Sequence, residues 1–264
     1  GGVRSALFNW LFARRNGGRF IVRVEDTDQS RLVSGAVEGI LASLKWLGVD
    51  WDEGPETGGD YGPYFQSQRL SLYRDVAGRL LTTGDAYYCY CSQERLAEVR
   101  KTQIALKQPP GYDRNCRNKS IRKRREQDRT DITPVIRFKV PSEGVTTVSD
   151  LIRGKVSFEN RLIPDFVIMK SDGFPTYHLA HLADDQAMNI THVLRAEEWL
   201  PSTPRHILIY NALRWDPPAF AHLPIILAPD RSKLSKRHGA TSVLEYRAMG
   251  YLPDAMLNFL ALLG

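Results

Sequence analysis

The sequence predicts an α/β protein built on a parallel sheet, with a smaller α+β segment inserted into it. Three observations carry that reading. Helix and strand patterns alternate over residues 3–48, the usual signature of a sheet covered by helices. Between about residues 86 and 164 the texture changes to short strand-like pieces mixed with a polar helix and a basic stretch. An apolar run, Asp165-Phe166-Val167-Ile168-Met169, then resumes the main sheet.

Each element follows from its pattern. Val3, Ala6, Leu7, Trp10 and Leu11 recur at three and four residues and predict a helix that Gly17-Gly18 ends. Phe20 to Val24 is a short strand with Glu25-Asp26-Thr27-Asp28 at its C-terminal end, where ligands of parallel sheets lie. Val37, Ile40, Leu41, Leu44 and Leu47 form the apolar face of the next helix, stopped by Gly48. A tight-turning stretch (Gly58, Gly59, Gly62, Pro63) leads to a helix carrying Leu70, Tyr73, Val76, Ala77, Leu80 and Leu81. Tyr87–Tyr90, Val135–Val140 and Val156–Phe158 are the strand-like pieces of the insertion. After the turn Lys170-Ser171-Asp172-Gly173 come a mixed segment to Ala187, a strand at His192–Arg195, a helix over Thr203–Leu213 and an apolar run at Leu223–Leu227. Helical patterns at Val243–Met249 and Pro253–Leu263 follow, and no internal repeat is found. The expected division is 1–85 and 165–228 for the two halves of the α/β unit, 86–164 for the insertion, and 229–264 for a loop and terminal helices.

Composition excludes several classes. With 264 residues, 42% hydrophobic and 25% charged, the chain is neither disordered nor fibrous. Three cysteines are too few for a disulfide scaffold. No apolar run approaches the length of a membrane span, and Arg4, Asn9, Arg14 and Arg15 break any signal-peptide pattern, so a reducing intracellular compartment is expected. The formal charge of +6, from 36 basic and 30 acidic residues, favours an anionic partner.

Six places could carry chemistry. Lys233-Leu234-Ser235-Lys236-Arg237-His238 is a cationic loop able to neutralise charge developing on a phosphate, although such loops are often only solvated surface. Glu25 and Asp26, at a strand end, could hold an ammonium group or a metal, or simply cap a helix. Tyr177 and His181 are four apart and share a face if their segment is helical. Arg195 could clamp a carboxylate and Trp199 could stack on a base, with Glu197 and Glu198 beside them; surface ion pairs are the plainer reading. Cys89, Cys91 and Cys116, with Tyr112, could complete a tetrahedral Zn²⁺ site or be buried thiols. Residues 113–129 hold eight Lys/Arg and three acids (Arg114, Arg117, Lys119 and Lys123 among the bases), a patch suited to a nucleic-acid backbone or to solvent. Of the six histidines, His178, His192, His206 and His222 are read as structural.

The segments add up when taken in order. Glu25-Asp26-Thr27-Asp28, Gly62-Pro63-Tyr64 with Gln66-Ser67, Lys170 to Gly173 leading into Thr176-Tyr177-His178-Leu179, and Lys233 to Gly239 together make the whole chain resemble the catalytic part of the bacterial-type glutamyl-tRNA synthetases. The resemblance implies a Rossmann-like class I synthetase catalytic domain with an inserted α+β domain that receives the acceptor end of tRNA. It implies ATP-dependent activation of L-glutamate to glutamyl-adenylate, then transfer to the 3′-terminal adenosine of tRNA(Glu), with tRNA needed for activation. By the same resemblance Glu25, Tyr177, Arg195 and His181 are glutamate-binding, and Glu198 and Trp199 lie by the ATP nucleoside. Lys233 and Lys236 stabilise the leaving pyrophosphate, Lys236 touching ATP. Mg²⁺ accompanies ATP, one structural Zn²⁺ sits on Cys89, Cys91, Tyr112 and Cys116, and Arg114, Arg117, Lys119 and Lys123 contact tRNA. A cytoplasmic monomer with no membrane or DNA partner is expected.

Some departures from the family pattern stand out. Of the Pro-Ser-Pro-Thr-Gly and His-x-Gly-Gly signature only Gly1-Gly2 is present, so a polypeptide truly beginning there is expected not to form adenylate. Helical domains that read the anticodon are not part of the sequence. Many members have Asn where His181 stands and His where Gln186 stands. The nearest alternative is a glutamyl-queuosine tRNA(Asp) synthetase, against which the retained Lys236 speaks; a non-catalytic tRNA-binding module is the alternative from another class.

Overall fold

Backbone pairing sorts the strands into two sheets in the computed structural model, which describes residues 2–28, 35–119, 132–228, 230–234 and 242–263. The first holds β1 (Ala86–Cys89), β2 (Val135–Phe138) and β5 (Val167–Met169), in the order β1-β2-β5 and antiparallel throughout. The second holds β3 (Val145–Asp150), β4 (Gly154–Glu159), β6 (His192–Ala196) and β7 (Ala219–Leu223), in the order β4-β3-β7-β6. There β6 and β7 run parallel over five residue pairs, β3 meets β7 in parallel at Asp150 opposite Phe220, and β3 and β4 form an antiparallel hairpin.

The helices are α1 (Gly2–Arg15), α2 (Ala36–Trp46), α3 (Leu70–Thr83), α4 (Gln93–Ala105), α5 (Tyr177–Ala187), α6 (Thr203–Leu213), α7 (Val243–Ala248) and α8 (Pro253–Ala261). Their ends follow local chemistry. Arg14 and Arg15 complement the negative end of α1. Gly84, at φ 82°, takes the left-handed position that closes α3. The Ser92 hydroxyl accepts from Arg95 N to cap α4, and Ser242 with Glu245 forms a capping box on α7.

Several strand expectations are corrected. Phe20–Val24 is extended, but makes only single parallel bridges, Ile21 with Glu53 and Val24 with Phe65. Its partner chain is interrupted by the turn at Gly54–Gly59, so no continuous ladder forms. Val167–Met169 returns to the antiparallel sheet, beside β2, rather than to the parallel one. The apolar run at 223–227 is strand only up to Leu223, because Pro224 has no N–H to continue the ladder. Strand β3 was not foreseen: only Thr146, Val148 and Asp150 on its inner face are buried, and two of those are polar.

The main core lies between the sheets and helices α3, α5 and α6, with Tyr73, Leu80, Ile168, Leu179, Leu182 and Ile209 all at 0% exposure. Each such side chain contributes about 1.5–3 kcal/mol by leaving water. A second cluster joins α1 and α2 to α7 and α8 through Leu7, Leu44, Leu47, Val243, Met256 and Leu260. Beneath the main core Asp184, fully buried, accepts from Arg69 Nε at 2.7 Å, Tyr73 Oη at 2.9 Å and Gln66 Nε2 at 2.8 Å. A buried carboxylate with that many donors is satisfied rather than stranded.

Candidate active site

Three elements build one pocket. Helix α5 presents Tyr177, His181 and Asp185 at steps of four on one face. The extended segment before Asp26 presents Arg23 and Glu25, two apart and therefore on one side. Strand β6 delivers Arg195 near its C-terminal end, and Trp199 follows in the next turn. These side chains surround a cavity of about 360 Å³.

Arg195 is held on all sides and is 9% exposed. Its Nη1 donates to Tyr177 Oη at 2.7 Å, its Nη2 to Thr203 Oγ1 at 2.7 Å and, at a longer 3.5 Å, to the Trp199 carbonyl. Its Nε donates to His222 Nε2 at 3.1 Å. A guanidinium has five N–H donors, so one Nη1 proton is left for a ligand. A bidentate grip on a carboxylate requires the long Nη2–Trp199 contact to be exchanged for the ligand. Burial pushes the Tyr177 phenol up to about 12 against the opposing pull of Arg195, so it is neutral and free to donate.

Opposite Arg195, Arg23 sits among carboxylates. Its Nη1 donates to Asp185 Oδ1 at 3.0 Å and its Nη2 to Glu25 Oε1 at 3.3 Å, with His181 Nδ1 also 3.3 Å away. Burial works against the Arg23 charge, and Asp185, Glu25 and Asp184 overcome it, raising its pKa. Burial likewise raises the Glu25 carboxyl, but the His181 ring and the Arg23 charge prevail and leave it at about 2. Glu25 is thus an anion whose side chain remains 38% exposed at the pocket. Tyr177 stacks on His181 with ring centroids 5.1 Å apart and leans on Trp199 at 4.9 Å, giving the cavity an aromatic wall. The result is a polar cavity with a cation and an anion facing inward from different elements.

Lys233 and Glu198 lie outside this cavity and pair with each other, both largely exposed. Lys233 is fixed by a backbone bridge to Leu227. Lys236 lies outside the described residues.

The three thiols come together at the end of β1, their Sγ atoms all within 4.8 Å of one another. Tyr112 Oη is 3.3 Å from Cys89 Sγ and 3.7 Å from Cys91 Sγ. Hydrogen bonds from Cys116 and Cys91 pull the Cys89 thiol down, while the Cys116 thiol is pushed up by its bonds to the other two. Arg95 Nη1 and Asn115 Nδ2 each approach Cys91 Sγ to 3.5 Å, and the Arg137 guanidinium covers the Tyr112 ring at 3.9 Å. Three convergent sulfurs, at least one inclined to ionise, and cationic donors around them fit a divalent soft metal such as zinc.

The basic patch divides. Arg117 Nη1 donates to Asp165 Oδ1 at 2.6 Å, and Arg114 Nε stands 3.7 Å from the same oxygen, so both are engaged inside the fold. Lys119 Nζ donates to Asn115 Oδ1 at 3.1 Å. Lys123 lies outside the described residues.

Sequence reasoning missed Arg23, Asp185 and His222. The first two carried a signal: Arg23 is one strand period from Glu25, and Asp185 is one helical turn from His181. His222, far along the chain from Arg195, carried none.

Comparison with known proteins now has a geometry to attach to. The family model for class I tRNA synthetases (E and Q), catalytic domain, matches residues 1–264. A glutamate–tRNA ligase of Dehalococcoides mccartyi is 65% identical over 264 residues, covering 100% of this chain and 53% of the relative. One from Moorella thermoacetica is 58% identical, covering 100% of this chain and 54% of the relative. A crystal structure of a glutamate tRNA ligase from Elizabethkingia meningosepticum, in complex with its amino acid, superposes with a TM-score of 0.93 at 41% identity, covering 100% of this chain and 58% of that one. The chain spans about half the length of the curated relatives it matches. With a mixed α/β fold carrying a parallel sheet, a polar pocket beyond one of its strands and a family match along its whole length, this chain belongs to the catalytic-domain family of the class I tRNA synthetases for glutamate and glutamine.

Proposed function

We propose that the protein containing this chain is a glutamate–tRNA ligase, and that the cavity between α5, β6 and the segment ending at Glu25 holds L-glutamate. The observation that carries the reading is the meeting of Glu25, Tyr177, His181, Arg195 and Trp199, drawn from three separate elements, in one pocket of amino-acid size. A bound glutamate has one ammonium and two carboxylates. Glu25, ionised and partly open, suits the ammonium, and the free Nη1 proton of Arg195 with the Tyr177 hydroxyl suits a carboxylate. His181 and Trp199 close the sides.

The reaction needs no general base, because the attacking α-carboxylate is already ionised at neutral pH. Its oxygen attacks the α-phosphorus of ATP, the α–β phosphoanhydride bond breaks, and glutamyl-adenylate and pyrophosphate result. The 2′-hydroxyl of the terminal adenosine of tRNA(Glu) then attacks the mixed anhydride carbonyl, and AMP leaves with the electron pair. Lys233 and Lys236 neutralise the leaving pyrophosphate, and Glu198 and Trp199 border the ATP nucleoside. Pairing with Glu198 keeps the Lys233 ammonium beside that nucleoside site until ATP arrives. Mg²⁺ bound to ATP would offset the charge of its phosphates. Cys89, Cys91, Cys116 and Tyr112 would hold a structural zinc at the root of the segment 86–164, which we assign to the tRNA acceptor end. There Lys119 and Lys123 meet the phosphate backbone, and Arg114 and Arg117, anchored on Asp165, shape the surface behind them. Function in the cytoplasm as a monomer accords with this role, and among the described residues no helix is long and apolar enough to cross a membrane.

The test is ATP–pyrophosphate exchange with glutamate on the full-length protein, with and without tRNA(Glu). Exchange appearing only with tRNA(Glu) supports the ligase. Exchange with glutamate alone points to the glutamyl-queuosine relative, and no exchange to a tRNA-binding module.

A further inference from the structure

A buried chain of hydrogen bonds runs behind Arg195 into the hairpin β3–β4. Asp150, the last residue of β3, has Oδ2 2.5 Å from His222 Nδ1, and both side chains are 0% exposed. On its other side His222 Nε2 receives Arg195 Nε–H at 3.1 Å, with Thr203 Oγ1 at the same distance. Arg195 can only donate, so His222 Nε2 must accept, and its single proton is on Nδ1, facing Asp150. The other tautomer would set two N–H groups against each other, and a protonated ring would add like charge beside the guanidinium.

Asp150 is built to impose this choice. Its Oδ1 accepts the backbone N–H groups of Ile152 at 3.0 Å and Arg153 at 2.8 Å, the turn of the hairpin. The His222 backbone N–H is shared between the two oxygens at 3.2 and 3.1 Å, and Oδ2 is the one that faces the His222 ring. The remaining charged group around the ring is Arg153, whose Nε donates to the His222 carbonyl at 3.4 Å.

We propose that His222 and Asp150 are positioning residues for substrate binding: Asp150 fixes the His222 tautomer, and His222 turns the Arg195 guanidinium so that its free Nη1 proton faces the pocket. This rests on the assignment of the pocket to glutamate. Asp150 lies in the segment 86–164, outside the lining of the pocket, and is carried to it by the parallel pairing of β3 with β7 and by its own bonds to His222.

The experiment compares D150N, H222N and H222Q with the unsubstituted full-length enzyme, reading KM for glutamate, KM for ATP and kcat in tRNA-supported exchange, with thermal unfolding alongside. In D150N the Oδ1 position must keep the turn N–H groups, so the amide nitrogen faces His222 Nδ1 and forces the wrong tautomer. H222N keeps a donor for Asp150 but presents nothing to Arg195, whereas H222Q keeps an acceptor at the Nε2 position. D150N and H222N should raise the glutamate KM about tenfold with the ATP KM within about twofold, and H222Q should stay within about threefold of the unsubstituted enzyme. Glutamate KM unchanged in D150N, equal effects in H222N and H222Q, or glutamate and ATP KM rising together would each overturn the proposal. Should D150N fail to fold, the contrast between H222N and H222Q decides. Absence of glutamate-dependent exchange in the unsubstituted enzyme would instead overturn the glutamate assignment itself, and this proposal with it.

Discussion

The Tyr177 hydroxyl lies 2.7 Å from Arg195 Nη1, joining the first turn of α5 to the end of β6 across the pocket. Burial keeps Tyr177 protonated, so its oxygen accepts from Arg195 while its own proton is available to a ligand. Arg195→Lys removes the fork that meets Tyr177, Thr203 and His222 together, and a single ammonium cannot replace it. The expected loss in kcat/KM for glutamate is about a hundredfold or more, against about tenfold for Tyr177→Phe. Steady-state kinetics at varied glutamate checks both, and a near-normal R195K would remove Arg195 from the binding assignment.

Lys233 stands outside the amino-acid cavity, paired with Glu198. Lys233→Ala should lower kcat about 10²- to 10³-fold while leaving the glutamate KM near its normal value, as expected of a charge that acts on the leaving group. Single-turnover adenylate formation is the measurement, and a change confined to glutamate KM would contradict the role.

Metal content tests the thiol cluster. Protein prepared without chelator should carry about one zinc per chain, and Cys91→Ser should lose it and lower the unfolding temperature by several degrees. Elemental analysis finding no zinc in such material, with sulfurs this close, would leave the cluster as three buried thiols.

Asp184 offers a test of stability alone. Asp184→Asn leaves Arg69 and the buried Arg23 without a charge they both approach, at 2.7 and 3.5 Å. Breaking such a pair costs about 3–5 kcal/mol. Urea unfolding should show it as a lower midpoint; a loss below about 1 kcal/mol would mean that Tyr73 and Gln66 alone satisfy the site.

Acid should destabilise the fold early. Burial lowers His178 to about 4, and lowers His206 and His222 below their ordinary value as well. The unfolded chain therefore takes up these protons first, so stability falls as pH drops from about 6.5 towards 4, by about 1.4 kcal/mol per pH unit for each histidine involved. Glu25 acts in the same direction at lower pH: its contribution is intact above about pH 4.5 and is lost as pH falls through about 2. Denaturant titrations at pH 7 and pH 5 should differ accordingly; identical midpoints would show that the rings titrate normally.

What the sequence made legible was local. The three-and-four spacing in α1, α2 and α3 marked real helices, and Tyr177 with His181 do share a face. The extended segment at 20–24 was read correctly in its direction but not in its pairing, because its partner is broken by glycines. The contacts that orient Arg195 were invisible for a different reason. Asp150 and His222 are 72 positions apart and His222 and Arg195 are 27 apart, so no periodicity links them, and each alone reads as an ordinary strand polar residue. Register, set by the pairing of β6 and β7 at Arg195 opposite His222, is what brings them together.

Asp165 gathers Tyr87 from β1, Arg114 and Arg117 from the chain after α4, and the backbone N–H of Val140 just after β2, on one fully buried carboxylate. Because β1 and β5 lie either side of β2, these two strands run only about 10 Å apart. The chain between them is no mere appendage, though: β3 joins β7 and Asp150 holds His222, so shortening it would reach the wall of the pocket behind Arg195.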